Sequence, residues 1–240
     1  MRKFKRYIGI ILNYFSFLFR GIKIKGTNKI EIFSDLQNLI NDHFVEELND
    51  HINIKTMEMA LKEFNQLPLN IIETGSAGYG TKSSLLFDKY VSSFGGTLET
   101  VDIDITKLLS LRNKCTHKTT FCCDDSVTFL KKIKIKNPDF NTLVYLDSWD
   151  VDLDNPLDSS IHGLKEFQSI YKKLKKGDVI LIDDTPKDTS VLKKIGVQPL
   201  NNHSNNDKIG GKGSLIKLYV LEYNLCEILY QDYQLVLRVI

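Results

Sequence analysis

The chain has 240 residues, 42% of them hydrophobic and 26% charged, with a net charge of +2. This composition predicts one globular α/β domain with an N-terminal extension, and a core of ordinary size that needs no disulfide staple. Residues 1–30 contain eight basic residues and no acidic one, so the other 210 residues sum to −6. The acidic main body excludes an extended nucleic-acid-binding surface there.

Thirteen mostly apolar residues separate Arg6 from Arg20. As a helix they would span roughly 20 Å, which is short of the roughly 30 Å hydrocarbon core of a bilayer. Their few polar residues recur every three or four positions, so residues 1–25 are predicted to form a basic amphipathic helix. Such a helix suits peripheral contact with a membrane. Docking on its own domain or on a second copy of the chain, as a homo-oligomer, and a weak signal anchor are the alternatives. We expect a cytoplasmic protein, with or without membrane contact.

Residues 26–68 are predicted to be a helical extension or cap, with helices over 34–48 and 56–64. From residue 69 to residue 240, strands and helices alternate. Strands are expected over 69–74, 97–103, 119–123, 142–147 and 178–183, with helices over 81–91, 106–113, 126–132 and 159–174. A polar stretch over 186–213 predicts a loop that closes as a lid, followed by a helix at 214–223 and a hairpin at 226–239. This order predicts a Rossmann-like, mostly parallel seven-stranded sheet with a C-terminal antiparallel hairpin.

A glycine-rich turn follows the first of these strands. Gly75, Gly78 and Gly80 stand at the switch from strand to helix, where glycine lets the backbone turn sharply and lets a ligand approach closely. Their order differs from the G-x-G-x-x-G pattern of dinucleotide sites. Glu73 just before the turn disfavours a pyrophosphate and favours an amine-bearing ligand, such as the methionine part of S-adenosylmethionine. A tight turn without a ligand is the structural alternative.

Carboxylates also end the next two strands. Asp102 is placed to accept hydrogen bonds from ribose hydroxyls, whereas Asp104 is expected to flank or cap the following helix. Asp125 and Ser126 follow the third strand, where an adenine would lie. Capping of the 126–132 helix by Asp124 or Asp125 is an equally weighted interpretation, and both roles can hold together.

These motifs resemble those of class I S-adenosylmethionine-dependent methyltransferases. The resemblance covers residues 70–240 and is nearest to small methyltransferases of surface-glycan gene clusters, in which a Ser/Thr pair follows the glycine loop. Thr81 and Ser83-Ser84 fill that region here. The resemblance implies that S-adenosylmethionine is the cofactor and that it is bound by a set of eight residues. The set is Glu73, Gly75, Gly78, Gly80, Ser83, Asp102, Asp125 and Ser126.

An acidic cluster is predicted where the fourth and fifth strands end. Asp147 follows the one strand, and Asp183 and Asp184 follow the other, so their carboxylates should converge at one sheet edge. Carboxylates that close need a compensating charge, which Mg²⁺ would provide. A metal-free acidic pocket for an amine or a sugar, and plain helix caps and turns, are the alternatives.

The cluster also resembles the metal site of catechol O-methyltransferase and its relatives. In that family a lysine base follows the first aspartate by three residues, whereas this chain has Asp150 there. The candidate catalytic residues are therefore Asp147, Asp150 and His162, the last as a general base or as a surface helix residue.

The leading functional hypothesis is O-methylation of a hydroxylated glycan or small-molecule acceptor, with or without Mg²⁺. An NAD-dependent oxidoreductase is the second hypothesis, and a non-catalytic membrane-tethered binding module of the same fold is the third.

Overall fold

The computed structural model describes residues 16–47, 51–76, 82–152, 156–194 and 211–240. These residues form one mixed sheet with helices on both faces. Its strands are β1 (Ile22–Lys25), β2 (Leu69–Thr74), β3 (Gly96–Asp102), β4 (Thr119–Cys123), β5 (Asn141–Leu146), β6 (Val179–Ile182), β7 (Cys226–Gln231) and β8 (Leu235–Val239). Its helices are α1 (Leu36–Glu47), α2 (Ile54–Lys62), α3 (Ser83–Phe94), α4 (Ile105–Arg112), α5 (Ser126–Lys132), α6 (Leu157–Tyr171), α7 (Thr189–Lys194) and α8 (Ser214–Glu222).

The strand order is β1-β4-β3-β2-β5-β6-β8-β7. Strands β4, β3, β2, β5 and β6 are parallel, whereas β8, β7 and β1 run antiparallel to their neighbours. The predicted Rossmann-like sheet and C-terminal hairpin are present. The prediction of seven strands is wrong, because eight strands form the sheet in the described part of the chain.

The eighth strand comes from the N-terminal segment. Ile22–Lys25 pairs antiparallel with β4, so the helix predicted over residues 1–25 does not extend to its end. The sequence Ile-Lys-Ile-Lys alternates with period two, which is the strand period, and this outweighed the helical spacing of the residues before it. Residues 1–15, the greater part of the predicted helix, lie outside the described residues.

The core has two main layers, one on each face of the sheet. Helices α1, α2 and α3 cover one face with buried side chains such as Leu39, Leu61 and Phe87. Helices α5, α6 and α8 cover the other, through residues such as Leu130, Phe167 and Ile216. The strands between them are apolar on both sides, as expected for a covered parallel sheet. The helices of the predicted 26–68 extension thus share a hydrophobic core with residues 69–240.

The strand order reverses between β2 and β5. From β2 the chain proceeds outwards through β3 and β4, and then returns to β5 and β6 on the other side. A parallel sheet opens a crevice at such a reversal, beyond the carboxyl ends of its strands. The backbone N–H of Asp147 donates to the carbonyl of Thr74 at 3.0 Å and marks the base of this crevice.

Candidate active site

A cleft of about 570 Å³ lies at this edge of the sheet. Its volume is in the range of small-molecule sites. Nine of the sequence-predicted site residues line it together: Gly75, Asp102, Asp125, Ser126, Asp147, Asp150, His162, Asp183 and Asp184. Glu73 and Ser83 are not among its lining residues, and Gly78 and Gly80 lie outside the described part of the chain.

Gly75 forms the floor of the cleft. Its φ is +81°, and a Cβ atom on it would lie 2.2 Å from the carbonyl oxygen of Asp147. Both the left-handed backbone and this close approach require glycine. The absence of a side chain lets the chain segments that follow β2 and β5 pack closely at the base of the crevice.

Glu73 is fully buried beneath the turn. Its carboxylate accepts hydrogen bonds from the hydroxyls of Ser83, Ser84 and Thr100. Burial raises the pKa of Glu73 to about 6, while these three hydrogen bonds oppose the increase. The carboxylate therefore ties the first turn of α3 to β2 and β3. Contact of Glu73 and Ser83 with a cofactor stays a prediction.

Asp102, the last residue of β3, and Asp104, two residues later, have different roles. Asp104 caps α4, since its side chain accepts from the backbone N–H of Thr106. Asp102 lines the cleft, and one of its oxygens accepts from the backbone N–H of Asp104 at 2.8 Å. The ammonium of Lys107 lies 3.7 Å from the other oxygen. Asp102 is therefore the carboxylate available to a ligand at this strand end.

The residues after β4 combine a cap with a polar cluster. Asp125 caps α5 by accepting from the backbone N–H of Thr128, and it also lines the cleft. The Ser126 hydroxyl lies 3.0 Å from Nε2 of His162 and 3.1 Å from the hydroxyl of Ser148. Both interpretations made from the sequence for this loop are thus compatible with its geometry.

His162 is held by its hydrogen bonds to this cluster. Ser148 donates its hydroxyl proton to the buried Glu166 at 2.7 Å, so towards Nε2 of His162, 2.9 Å away, it can only accept. The Ser126 hydroxyl, 3.0 Å from the same nitrogen, can donate to it or accept from it, according to the tautomer of the ring.

Trp149 stands at the mouth of the cleft. Its ring is 58% exposed, and the ring centroid lies 5.1 Å from that of His162. Its φ is +66°, which is rare for a bulky residue and is found most often at functional sites. Asp150 follows it and is exposed at the rim. Trp149 offers an aromatic surface to a ligand in the cleft.

The three predicted carboxylates converge as expected. Asp147, Asp183 and Asp184 each offer an oxygen within 4.8 Å of the others. A fourth charged group lies among them, because the ammonium of Lys212 is 2.7 Å from Asp147 and 2.9 Å from Asp184. The side chain of Lys212 is only 3% exposed. The compensating charge at this edge is thus supplied by the chain itself.

Neutral side chains occupy further oxygens of the three carboxylates. Asn53 and Gln234 donate to Asp183 at 3.0 and 2.7 Å. The hydroxyl of Tyr145 donates to Asp147 at 3.3 Å, and that of Tyr233 donates to Asp184 at 2.6 Å. We refer to Asp147, Asp183 and Asp184 as the acidic trio. Its members are fixed by hydrogen bonds from α2, β5 and the turn before β8.

The pKa values of Asp147 and Lys212 both lie above their ordinary values, for different reasons. Burial raises the pKa of Asp147 well above its ordinary value, and the charge of Asp183 adds to the increase while Lys212 opposes it. Burial alone would lower the pKa of Lys212, but the charges of Asp147, Asp184 and Asp183 raise it above its ordinary value. Lys212 therefore remains an ammonium ion.

This arrangement does not fit a divalent metal ion. Mg²⁺ binds carboxylate oxygens at about 2.0–2.1 Å with near-octahedral geometry. One oxygen of Asp147 and one of Asp184 are already in contact with the ammonium of Lys212. Two cations could not share so small a space without strong repulsion. The predicted convergence of the carboxylates is present, but the metal is not required to explain it.

Sequence reasoning assigned no role to Lys212, although a local signal existed. Lys212 lies between two glycines, and a Cβ atom on Gly211 would lie 2.2 Å from the carbonyl oxygen of Asp184. Glycines on both sides of a lysine can indicate that the backbone there approaches another segment closely.

Part of the predicted 186–213 loop is the helix α7 (Thr189–Lys194). Residues 195–210 of this loop lie outside the described part of the chain.

Comparisons of the structure find methyltransferases, whereas no known protein family and no curated protein matches the sequence. MycE methyltransferase of the mycinamycin pathway, in complex with Mg and S-adenosylhomocysteine (SAH), matches with a TM-score of 0.54 and 16% identity over 89% of this chain and 56% of MycE. The chain thus spans little more than half the length of MycE. The SAH-bound methyltransferase PaMTH1 of Podospora anserina matches with a TM-score of 0.53 and 14% identity, over 89% of this chain and 91% of PaMTH1.

The calicheamicin methyltransferase CalS11 is also similar, with a TM-score of 0.51 and 13% identity over 86% of each chain. At these identities the likeness shows the fold. The chain has the Rossmann-like α/β fold of these methyltransferases.

Proposed function

We propose that this chain is an S-adenosylmethionine-dependent methyltransferase that acts on a hydroxyl group of a glycan or other small-molecule acceptor. The observation that carries the proposal is the cleft at the reversal of strand order, which Gly75, Asp102 and Ser126 line together. The fold shared with MycE, PaMTH1 and CalS11 supports it. When bound, S-adenosylmethionine supplies an electrophilic methyl group on a sulfonium centre.

The residues of the cleft fit the parts of this cofactor. Gly75 exposes its backbone to the cleft, and the Asp102 oxygen that does not accept from Asp104 suits a ribose hydroxyl. Asp125 and Ser126 follow β4 and line the cleft, and we expect the adenine to lie beside them. The chain has little covalent chemistry to perform, so its contribution is to position both reactants in line and to exclude water.

The acceptor is expected on the acidic side of the cleft. Asp147 and Asp150 can accept hydrogen bonds from acceptor hydroxyls, and the exposed ring of Trp149 can pack against a sugar ring. The structure of MycE with Mg, SAH and mycinamycin VI, which has a TM-score of 0.55 to this chain, contains a small-molecule ligand besides SAH, and this supports a small-molecule acceptor here. We expect Asp147 to receive the proton that the attacking hydroxyl loses, because it lies on the cleft floor beside Gly75.

Calorimetry tests the cofactor. S-adenosylmethionine and SAH should bind wild type, whereas NAD should not. Asp102→Asn should weaken the binding about tenfold or more, because it replaces a charged hydrogen-bond acceptor. Asp104→Asn is the matched control, since Asp104 caps α4 and should leave the affinity within about twofold. Binding of NAD without binding of S-adenosylmethionine would overturn the proposal in favour of an oxidoreductase.

Release of SAH in the presence of hydroxylated acceptors tests the transfer. Asp147→Asn, Asp150→Asn and His162→Gln separate the candidate bases. The variant that keeps cofactor affinity but loses about 100-fold or more in kcat identifies the base. We expect this variant to be Asp147→Asn. Cofactor binding without transfer to any acceptor would favour the non-catalytic binding module.

We also propose that the N-terminal segment makes peripheral contact with a membrane surface. Phe17 and Leu18 are exposed beside Arg20, and residues 1–30 carry a charge of +8. Exposed apolar side chains next to basic ones favour an interface with anionic lipids. Among the described residues, no helix is both long enough and apolar enough to cross a bilayer. Docking on a second copy of the chain is the alternative, which size-exclusion chromatography would detect.

A further inference from the structure

Lys212 occupies the centre of a site that the sequence predicts for a metal ion. Its ammonium lies 2.7 Å from Asp147 and 2.9 Å from Asp184, and its side chain is 3% exposed. A lysine this deeply buried keeps its charge only where carboxylates pair with it. The acidic trio and Lys212 therefore form one electrostatic unit.

The backbone around Lys212 is built to hold it there. The N–H of Lys212 donates to the carbonyl of Asp184 at 3.1 Å, and the N–H of Gly213 donates to the hydroxyl of Thr185 at 2.9 Å. A Cβ atom on Gly163 of α6 would lie 2.4 Å from the carbonyl oxygen of Lys212. Backbone contacts from two directions thus fix this residue, so its position does not depend on a mobile side chain alone.

The rest of the acidic trio is arranged around the same centre. Asp183 accepts from both Asn53 and Gln234 through one oxygen, Oδ1. Tyr233 binds one oxygen of Asp184, and the other oxygen faces the ammonium. In both Asp147 and Asp184, a tyrosine hydroxyl thus binds one oxygen and the ammonium binds the other.

We propose that Lys212 takes the place of a divalent cation in this fold, so that the chain holds its acidic trio in the reactive geometry without a metal. This inference rests on the proposed methyl transfer for its functional meaning. Lys212 acts as a positioning residue, because it binds and orients Asp147, the expected proton acceptor. The consequence is a reaction that does not depend on divalent metal.

The test uses the full chain, stripped of metal with EDTA and titrated with Mg²⁺ by calorimetry and by thermal unfolding. Wild type should bind no Mg²⁺ at the acidic trio, and neither Mg²⁺ nor EDTA should move its Tm. Lys212→Met keeps the length of the side chain but removes its charge. It should bind Mg²⁺ at a concentration at least about tenfold below the highest at which wild type shows no binding, and its Tm should rise with Mg²⁺.

The double variant Lys212→Met, Asp184→Asn is the matched control. It lacks the ammonium but also one ligand of the acidic trio, so it should gain much less Mg²⁺ affinity than Lys212→Met. A Lys212→Met chain that folds only when Mg²⁺ is present would also support the proposal. If that variant does not fold under either condition, the wild-type titration decides.

Two results would overturn the proposal. One is Mg²⁺ binding by wild type that Asp184→Asn abolishes, and the other is a folded Lys212→Met chain that takes up no Mg²⁺. Neither measurement requires S-adenosylmethionine or an acceptor. Calorimetry with S-adenosylmethionine on the same samples tests the proposed function separately, so the two can fail independently.

Discussion

Replacement of Glu73 by Gln should change how the stability of the fold depends on pH. The folded-state pKa of Glu73 is about 6, against an ordinary value of 4.5, because burial penalises its charge. The folded state therefore holds the proton more tightly than the unfolded state does. Protonated Glu73 thus contributes to the free energy of unfolding. This contribution is complete below pH 4.5 and is lost as the pH rises through about 6. The difference between the two values corresponds to a loss of about 2 kcal/mol.

Urea unfolding of wild type and Glu73→Gln between about pH 4 and pH 8 measures this effect. Glutamine cannot ionise, so the variant avoids the loss and should gain about 2 kcal/mol relative to wild type across this range. Any change in the hydrogen bonds from Ser83, Ser84 and Thr100 adds an offset that does not depend on the ionisation of residue 73. A difference that stays flat with pH, or that falls as the pH rises, would refute the reasoning.

Three further predictions concern a close backbone contact, a helix cap and the N-terminal segment. Gly75→Ala should lower the free energy of unfolding by about 2–4 kcal/mol, because its Cβ would collide with the carbonyl of Asp147. Gly21→Ala, at the same φ of +81° but with no atom within 4 Å, is its control in urea unfolding and should cost about 1 kcal/mol. Asp125→Ala should cost about 1 kcal/mol in the same assay through loss of the α5 cap. Deletion of residues 1–15 should reduce sedimentation with anionic vesicles, and undiminished sedimentation would contradict membrane contact by this segment.

The sequence was most informative where local signals and the fold agree. The bounds of β2 and β4 were predicted correctly, because each is a short apolar run buried on both faces. The Asp104 cap was also expected, since the helix start signal is local. Convergence of the acidic trio followed from the rule that parallel strands end at one edge.

What the sequence did not show depends on contacts between distant segments. Lys212 reaches Asp147 across 65 positions of sequence, and Asn53 reaches Asp183 across 130. No spacing rule connects such pairs, so the compensating charge was assigned to a metal. The partners of Glu73 show a similar limit. Its carboxylate is buried and accepts from Ser83 and Ser84. This burial results from the packing of the whole domain, which no local pattern in the sequence shows.

The strand β1 has a consequence for how this protein behaves in solution. It covers the outer side of β4, whose five residues are all buried. An uncovered strand of this kind offers free N–H and C=O groups to other chains and invites aggregation. Lys23 and Lys25 place charges along the new edge, which discourages a further strand from adding there. Four residues of the N-terminal segment thus protect the sheet, and a truncation that removes them should produce a chain that self-associates.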